Sequence, residues 1–260
     1  VVAAGGRVSI FTERNELVRD INVTARLPAG KYALRTINLD DAANVDDAAL
    51  EKIAELQFLE SLFLSNAMVT DTGIERIASC KSLTELGLGG TKVTAAGIAM
   101  LRSLPRLSRL YVPRTVLGPE GLRQIGDMEA LTHLSLEGVP LADDDLAPLK
   151  RLQKLEWLSI AGTPLTDACL LHLSKLKHLR ELNVTATGLT DAGREELATE
   201  LGRNCRLIGD PFDPQRQAAR WLVEHAATVA LESGRLATSQ DLPRSSCREV
   251  AIDLAWLGLK

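Results

Sequence analysis

The amino-acid sequence predicts an α/β solenoid, with a parallel sheet along one face and short helices along the other. Three observations carry that expectation. Leu59, Leu83, Leu107, Leu131, Leu155 and Leu179 follow one another at intervals of 24 residues. Each is followed by an apolar pair three and five residues on, such as Leu86 and Leu88 or Leu158 and Ile160, which is the alternation of a short strand. Five residues beyond the pair stands another apolar residue (Val69, Val93, Leu117, Leu141, Leu165, Leu189), and a helix-start signal comes next. One strand and one helix cannot bury their apolar sides alone, so units at this period stack into a continuous core.

In chain order, residues 1–33 read as an N-terminal β-hairpin cap. Gly6 to Thr24 alternates through Val8, Ser9 and Ile10 and turns at the polar run Glu13 to Glu16. A hairpin there keeps the first apolar layer of the solenoid from water. Leu27, Pro28, Ala29 and Gly30 interrupt any helix, and Leu34, Ile37 and Leu39 open about seven repeats over residues 34–208.

The helix starts have a physical reading. Thr70, Thr94, Thr166 and Thr190 sit where an N-cap hydroxyl accepts from an orphan N–H, and Asp71, Asp167 and Asp191 follow where the macrodipole favours an anion. In another unit Gly118 takes the cap position and Pro119 the first helical position, where a missing N–H costs nothing. Leu170, Leu173 and Leu176 then recur at three-residue steps, giving one buried side. Pro148 predicts a short or 3₁₀-like helix in its unit. Asp143, Asp144 and Asp145 open that same helix, where dipole compensation explains them without a calcium ion.

The pattern LxxLxLxxTxLTDxGLxxLxxLxx resembles the leucine-rich repeat, in particular the bacterial 24-residue kind with Thr-Asp-x-Gly-Leu helix starts known as GALA-like. The resemblance covers Leu34 to Leu207. It implies a horseshoe or arc whose strands line a concave, partner-binding face, with helices on the convex face. One departure is that Thr91, Thr115, Thr163 and Thr187 replace the family's ladder asparagine, with Ala67 and Val139 breaking the row. Threonine is expected to satisfy those backbone groups less completely. The interval from Leu34 to Leu59 is one residue longer than the others, a small insertion near Ala42 to Asn44.

Beyond Leu201 the pattern decays, with a last strand at Cys205 to Ile208. Residues 209–226 read as a capping helix: Asp213 caps it, Pro214 begins it, and Ala218, Trp221, Leu222 and His225 form its apolar-leaning stripe. Residues 227–260 read as the start of a second cap-and-repeat block. PRSSCREVAIDL (Pro243 to Leu254) parallels PAGKYALRTINL (Pro28 to Leu39), and AATVAL, ending at Leu231, parallels GGRVSI, ending at Ile10. The first residue is Val1 and not Met, so we expect an N-terminus trimmed, processed or cut from something longer; the internal echo predicts a fragment of a longer tandem array, the alternative being a chance echo of alternating apolar residues.

Composition narrows the function classes. With 30 basic and 34 acidic residues the net charge is -4, which removes the usual electrostatic motive for nucleic acid or anionic membrane. No apolar run reaches the roughly 18–20 residues of a spanning helix, and VVAAGGRV lacks the features of a secretory signal. The compartment stays open, with the cytoplasm favoured. Cys80, Cys169, Cys205 and Cys247 lie far apart without metal-ligand spacing and read as free thiols. No cofactor or metal is expected.

Under the resemblance, two ladders of side chains point out of the strands: Thr36, Ser61, Glu85, Arg109, His133, Trp157 and Glu181, and Asn38, Phe63, Gly87, Tyr111, Ser135, Ser159 and Asn183. Phe63, Tyr111 and Trp157 thus fall on solvent-facing positions, and aromatics beside arginine make interaction hot spots. The bland reading is that the rings pack on one another across strands. The candidate partner-binding set is Phe63, Glu85, Arg109, Tyr111, Arg114, His133, Glu137 and Trp157. His133, Ser135 and Glu137 resemble a triad only superficially, because residues two apart on a strand are about 6.6–6.8 Å apart, too far to relay a proton. His172 and His178 map to the convex side and its edge, facing solvent. The expected function is a non-enzymatic protein-binding module. The alternatives are an architectural segment of a longer repeat protein, partnered by its own further blocks, and glycan or peptide recognition by the aromatic groove.

Overall fold

A computed structural model describes residues 7–12, 17–21, 32–42, 44–209, 229–230 and 236–237. The expected capping helix over 209–226, apart from Gly209, and most of 227–260 lie outside the described residues, as do the hairpin turn at Glu13 to Glu16 and Ala43 in the insertion.

Ten strands make one sheet: β1 Arg7–Thr12, β2 Leu17–Ile21, β3 Tyr32–Asn38, β4 Ser61–Phe63, β5 Glu85–Gly87, β6 Arg109–Tyr111, β7 His133–Ser135, β8 Trp157–Ser159, β9 Glu181–Asn183 and β10 Arg206–Ile208. From β3 to β10 each strand lies parallel to the next. The pairing Thr36↔Ser61 and then Ser61↔Glu85 reproduces the one-residue insertion before the regular period begins. The N-terminal hairpin joins the same sheet through β1, which runs antiparallel to both β2 and β3. The cap therefore adds a layer through Val8 and Ile10, both buried, and the first repeat strand starts at Tyr32, inside the segment assigned to the cap.

Between the strands lie α1 Asp47–Ile53, α2 Asp71–Ile77, α3 Ala95–Met100, α4 Gly118–Gly126, α5 Leu170–Leu173 and α6 Asp191–Leu201. The unit holding Pro148 has a 3₁₀ helix instead, Asp143–Arg151, because proline removes the α-helical donor. The six period-setting leucines are at most 3% exposed and join one core with the inner helix residues Leu50, Ile74, Ile98, Leu122 and Leu146. In the last described unit Arg194 occupies that inner position and is also buried, marking the change from repeat to terminus.

The threonine caps form as expected: Thr70 accepts from Thr72 N, Thr94 from Ala96 N, Thr166 from Ala168 N and Thr190 from Gly193 N. At the proline unit the cap shifts by one residue to Leu117, with Gly118 left-handed at φ 63°. The aspartates after the caps do more than face a dipole. Asp71 accepts from the N–H and hydroxyl of Thr94 in the next unit, at 2.8 and 2.6 Å. Asp47 holds Thr70, Asp143 holds Thr166 and Asp167 holds Thr190 in the same way.

This lock explains the glycine three residues after three of the four threonine caps, Thr70, Thr94 and Thr190. A Cβ on Gly73, Gly97 or Gly193 would run into Oδ1 of Asp47, Asp71 or Asp167 respectively. The fourth lock, from Asp143 to Thr166, meets Cys169 where the others meet glycine, and that helix opens with a 3₁₀ turn, Asp167–Cys169. Where Ala95, Gly118, Pro119 and Ala142 replace the locking residues, Asp127 lies between Arg102 and Arg151 and ties those units by charge.

The threonine row behaves differently from a family asparagine ladder. Thr91, Thr115, Thr163 and Thr187 are buried, and each hydroxyl donates to the carbonyl three residues back in its own unit, at 2.6–2.7 Å. The expected shortfall is thus met inside the unit. Bonds between units come from the backbone of residues in the left-handed region, among them Asn66, Gly90, Arg114 and Gly138. Gly90 N donates to Pro113 O at 2.8 Å and Arg114 N to Glu137 O at 2.7 Å. A non-glycine residue in that region costs about 1–2 kcal/mol, which the inter-unit hydrogen bond offsets at Arg114.

Candidate partner-binding face

The sheet face turned away from the helices carries both ladders in one register. Strand pairing sets Glu85 against Arg109, Arg109 against His133, His133 against Trp157, and Trp157 against Glu181. The second ladder runs Phe63, Gly87, Tyr111, Ser135, Ser159 and Asn183. Parallel strands lie about 4.8 Å apart, so only small residues between two rings let them lean together.

Gly87 is such a residue. It sits between Phe63 and Tyr111, whose ring centroids are 6.4 Å apart at 30°, and a Cβ at Gly87 would crowd the Phe63 ring. Tyr111 meets Trp157 edge-on at 6.3 Å, and Trp157 stacks on His133 at 6.2 Å and 21°. The four rings form one continuous row across β4 to β8 and are half-buried by each other. The sequence reading placed them fully towards solvent; their mutual packing takes part of that surface. Ser135 and Ser159, also expected on this face, are buried.

Polar groups hold the row. Glu85 accepts from the Tyr111 hydroxyl at 3.1 Å and from Ser61 at 2.9 Å, and lies 3.6 Å from Arg109. The Trp157 Nε1–H donates to Glu181 at 2.9 Å, and Glu181 pairs with Arg206 at 3.6 Å. Glu137 accepts from Ser159 at 2.7 Å. Arg114 is exposed at the exit from β6, joined to Glu137 through its backbone. The acids lie recessed and the guanidinium groups stand out: Arg109 is 48% exposed against 16% for Glu85, and Arg206 75% against 31% for Glu181.

These neighbours set the protonation states. Burial, with the Glu85 carboxylate beside it, pushes the Tyr111 phenol up to about 12, so the phenol stays a donor at neutral pH. Burial and then the Arg109 charge hold His133 below its ordinary value. The imidazole is therefore neutral near pH 7. A folded value below the unfolded one means that this contribution to stability is present above the unfolded value and is lost as pH falls through the folded one. An NMR titration of His133 should give a midpoint below 6.5, and Arg109→Ala should raise it. A midpoint unmoved by that substitution would remove Arg109 as a cause.

The remaining candidates fall elsewhere. The Nδ1 of His133 lies 2.9 Å from the Thr132 hydroxyl, and the partner of Glu137 is Ser159, so these bonds assemble no His–Ser–Glu relay. Asp143 is engaged by Thr166 and Asp145 by the Ala142 N–H. His172, expected in solvent, has a side chain only 12% exposed, 3.4 Å from Asp144; His178 is exposed. Cys80 and Cys169 are free and buried, and burial raises both thiols, Cys169 to about 12 with Asp143 and Asp167 adding to it. Among the described residues no helix is long and apolar enough to cross a membrane.

Strand–turn–helix units stacked at a 24-residue period, with leucines inside and varied side chains across the open sheet face, give this chain the fold of a leucine-rich repeat solenoid. A family model described as Leucine Rich repeat matches residues 175–198. No curated protein sequence matches the chain. Among solved structures, the chain is similar to internalin C2 of Listeria monocytogenes str. 4b F2365, with 16% identity, a TM-score of 0.51, and coverage of 68% of this chain and 80% of that one. It is also similar to TLR13 in a TLR13-ssRNA13 complex, with 23% identity, a TM-score of 0.49, and coverage of 68% and 26%. The likeness to internalin C2 is one of fold.

Proposed function

We propose that the chain is a non-enzymatic protein-binding module that takes its partner on the open face of the sheet. The observation that carries this reading is the row Phe63, Tyr111, Trp157 and His133, which spans five strands where leucine-rich units need no aromatic side chain for their core. Rigid rings supply contact area at low entropic cost, and a fixed polar rim orients what sits on them. Recessed Glu85 and Glu181 under projecting Arg109 and Arg206 favour a partner segment bearing carboxylates and apolar side chains. The Thr-Asp-x-Gly starts, with their aspartate lock, favour the bacterial 24-residue type of repeat.

The test uses a random copolymer of glutamate and tyrosine as probe, with a lysine–tyrosine copolymer as control. Fluorescence anisotropy should show the acidic copolymer binding more tightly. The double variant Tyr111→Ala, Trp157→Ala should weaken that binding by roughly 30-fold or more, while far-UV circular dichroism keeps its native form. Binding that survives the double substitution would move the site elsewhere.

A further inference from the structure

We propose a second interaction surface, apart from the open sheet face: the edge formed by the last three helix-to-strand turns, which takes an extended, carboxylate-rich segment of a protein partner. It rests on the protein-binding reading but on none of the rings of the open face. The observation behind it is a segregation of charge. Between Leu136 and Gly193 all six lysines and arginines fall where helices end and strands begin: Lys150, Arg151 and Lys154 ahead of β8, and Lys175, Lys177 and Arg180 ahead of β9. Arg203 follows ahead of β10, and all seven are exposed. Over the same stretch six of the eight acids, Glu137, Asp143, Asp144, Asp145, Asp167 and Asp191, lie at the opposite edge, where strands end and helices begin.

Helix dipoles do not account for this placement. A cation is favoured only within the last helical turn, which covers Lys150 and Arg151, whereas Lys154, Lys177 and Arg180 lie three to seven residues past their helices. Arg151 and Lys175 hold equivalent places in consecutive units, and like charges side by side cost stability. Ion pairing absorbs part of the row: Arg151 meets Asp127, Lys177 meets Glu200 and Arg180 meets Glu156. Among the described residues Lys154, Lys175 and Arg203 have no such carboxylate. The backbone holds the turns in line, Arg180 N donating to Glu156 O and Arg206 N to Arg180 O, both at 2.7 Å. The cations of successive turns therefore stand in one row.

The pitch of that row selects the partner. Successive units lie about 4.8 Å apart at the strands and about 8–10 Å apart at the helices, and the turns lie between. Carboxylates on alternate residues of an extended peptide repeat about every 6.6–6.8 Å, inside that interval. Nucleic acid fits less well. The chain carries a net charge of -4, and residues 150–156, 174–180 and 202–206 contain no Phe, Tyr or Trp on which a base could stack.

Poly-L-glutamate, which brings carboxylates without rings, is the probe. Fluorescence anisotropy at low ionic strength should show the native chain binding it, and added salt should weaken the complex; a native chain that does not bind it overturns the proposal. The triple variant Lys154→Glu, Lys175→Glu, Arg203→Glu should lose about tenfold or more in affinity. Lys52→Glu, Lys92→Glu, Arg106→Glu, equal in net charge, should lose no more than about threefold. All six positions are exposed, so far-UV circular dichroism should read both variants as native. Should the reversals disturb the fold, Lys154→Gln, Lys175→Gln, Arg203→Gln carries the same test. Equal losses in the two triple variants would show attraction by net charge alone and remove the site. Duplex DNA that binds more tightly than poly-L-glutamate would give the edge to nucleic acid and overturn the peptide assignment. If Tyr111→Ala, Trp157→Ala abolishes the binding of poly-L-glutamate, the carboxylates sit on the open face; the edge is then not the site, although the protein-binding reading stands.

Discussion

Gly193→Ala should destabilise the native protein yet stabilise the same protein once Asp167 has been replaced by alanine. The three nearest atoms to a Cβ at Gly193 all belong to the Asp167 carboxylate, which is held by Thr190. Crowding of that kind costs about 1–3 kcal/mol in a packed site. Asp167→Ala alone loses two hydrogen bonds to a charged acceptor, each worth about 1.5–3 kcal/mol. With the carboxylate gone the crowding goes too, and alanine in a helix is about 1 kcal/mol better than glycine. A denaturant-based double-mutant cycle should therefore give a coupling of about 2 kcal/mol with a reversal of sign. Additive effects would show that the glycine and the aspartate serve separate ends.

A second large effect is expected from Leu158→Ala. Leu158 is fully buried on β8 and is paired on both sides, with Leu134 and Leu182. The loss should be about 2–5 kcal/mol, because transfer and cavity terms add at a site whose neighbours cannot collapse. Equilibrium urea unfolding measures it. Since each unit touches only its neighbours, the variant should also broaden the transition as the array uncouples near β8. Unchanged stability would overturn the assignment of inward-facing positions.

What could be read from the sequence divides along a physical line. Leucine spacing is local and periodic, so the strands, the pairing of Arg109 with His133 and Trp157, and the four threonine caps were legible, whereas the cap expected at Gly118 falls on Leu117. The aspartate lock was not, because Asp71 meets Thr94 only after folding, and its place behind a cap already had a sufficient local explanation. One signal did point to it: glycine recurs inside helices at 73, 97 and 193, where it costs about 1 kcal/mol each time. On the open face the ladders were legible, but the leaning of Phe63 and Tyr111 over Gly87 depends on which neighbours are small. The partial burial of His172 and the self-satisfied Thr163 likewise follow from side-chain reach, which periodicity does not encode.

The lock also gives the array a direction. Asp167 starts one helix but holds the threonine that starts the next, so the damage done by losing a carboxylate is displaced one unit towards the C-terminus. Removing Asp71 should speed amide exchange in α3 more than in α2, whose cap Thr70 remains fastened by Asp47. Such an array transmits faults forward and shields what lies behind them, much as a row of tiles is laid with each course pinned by the one before.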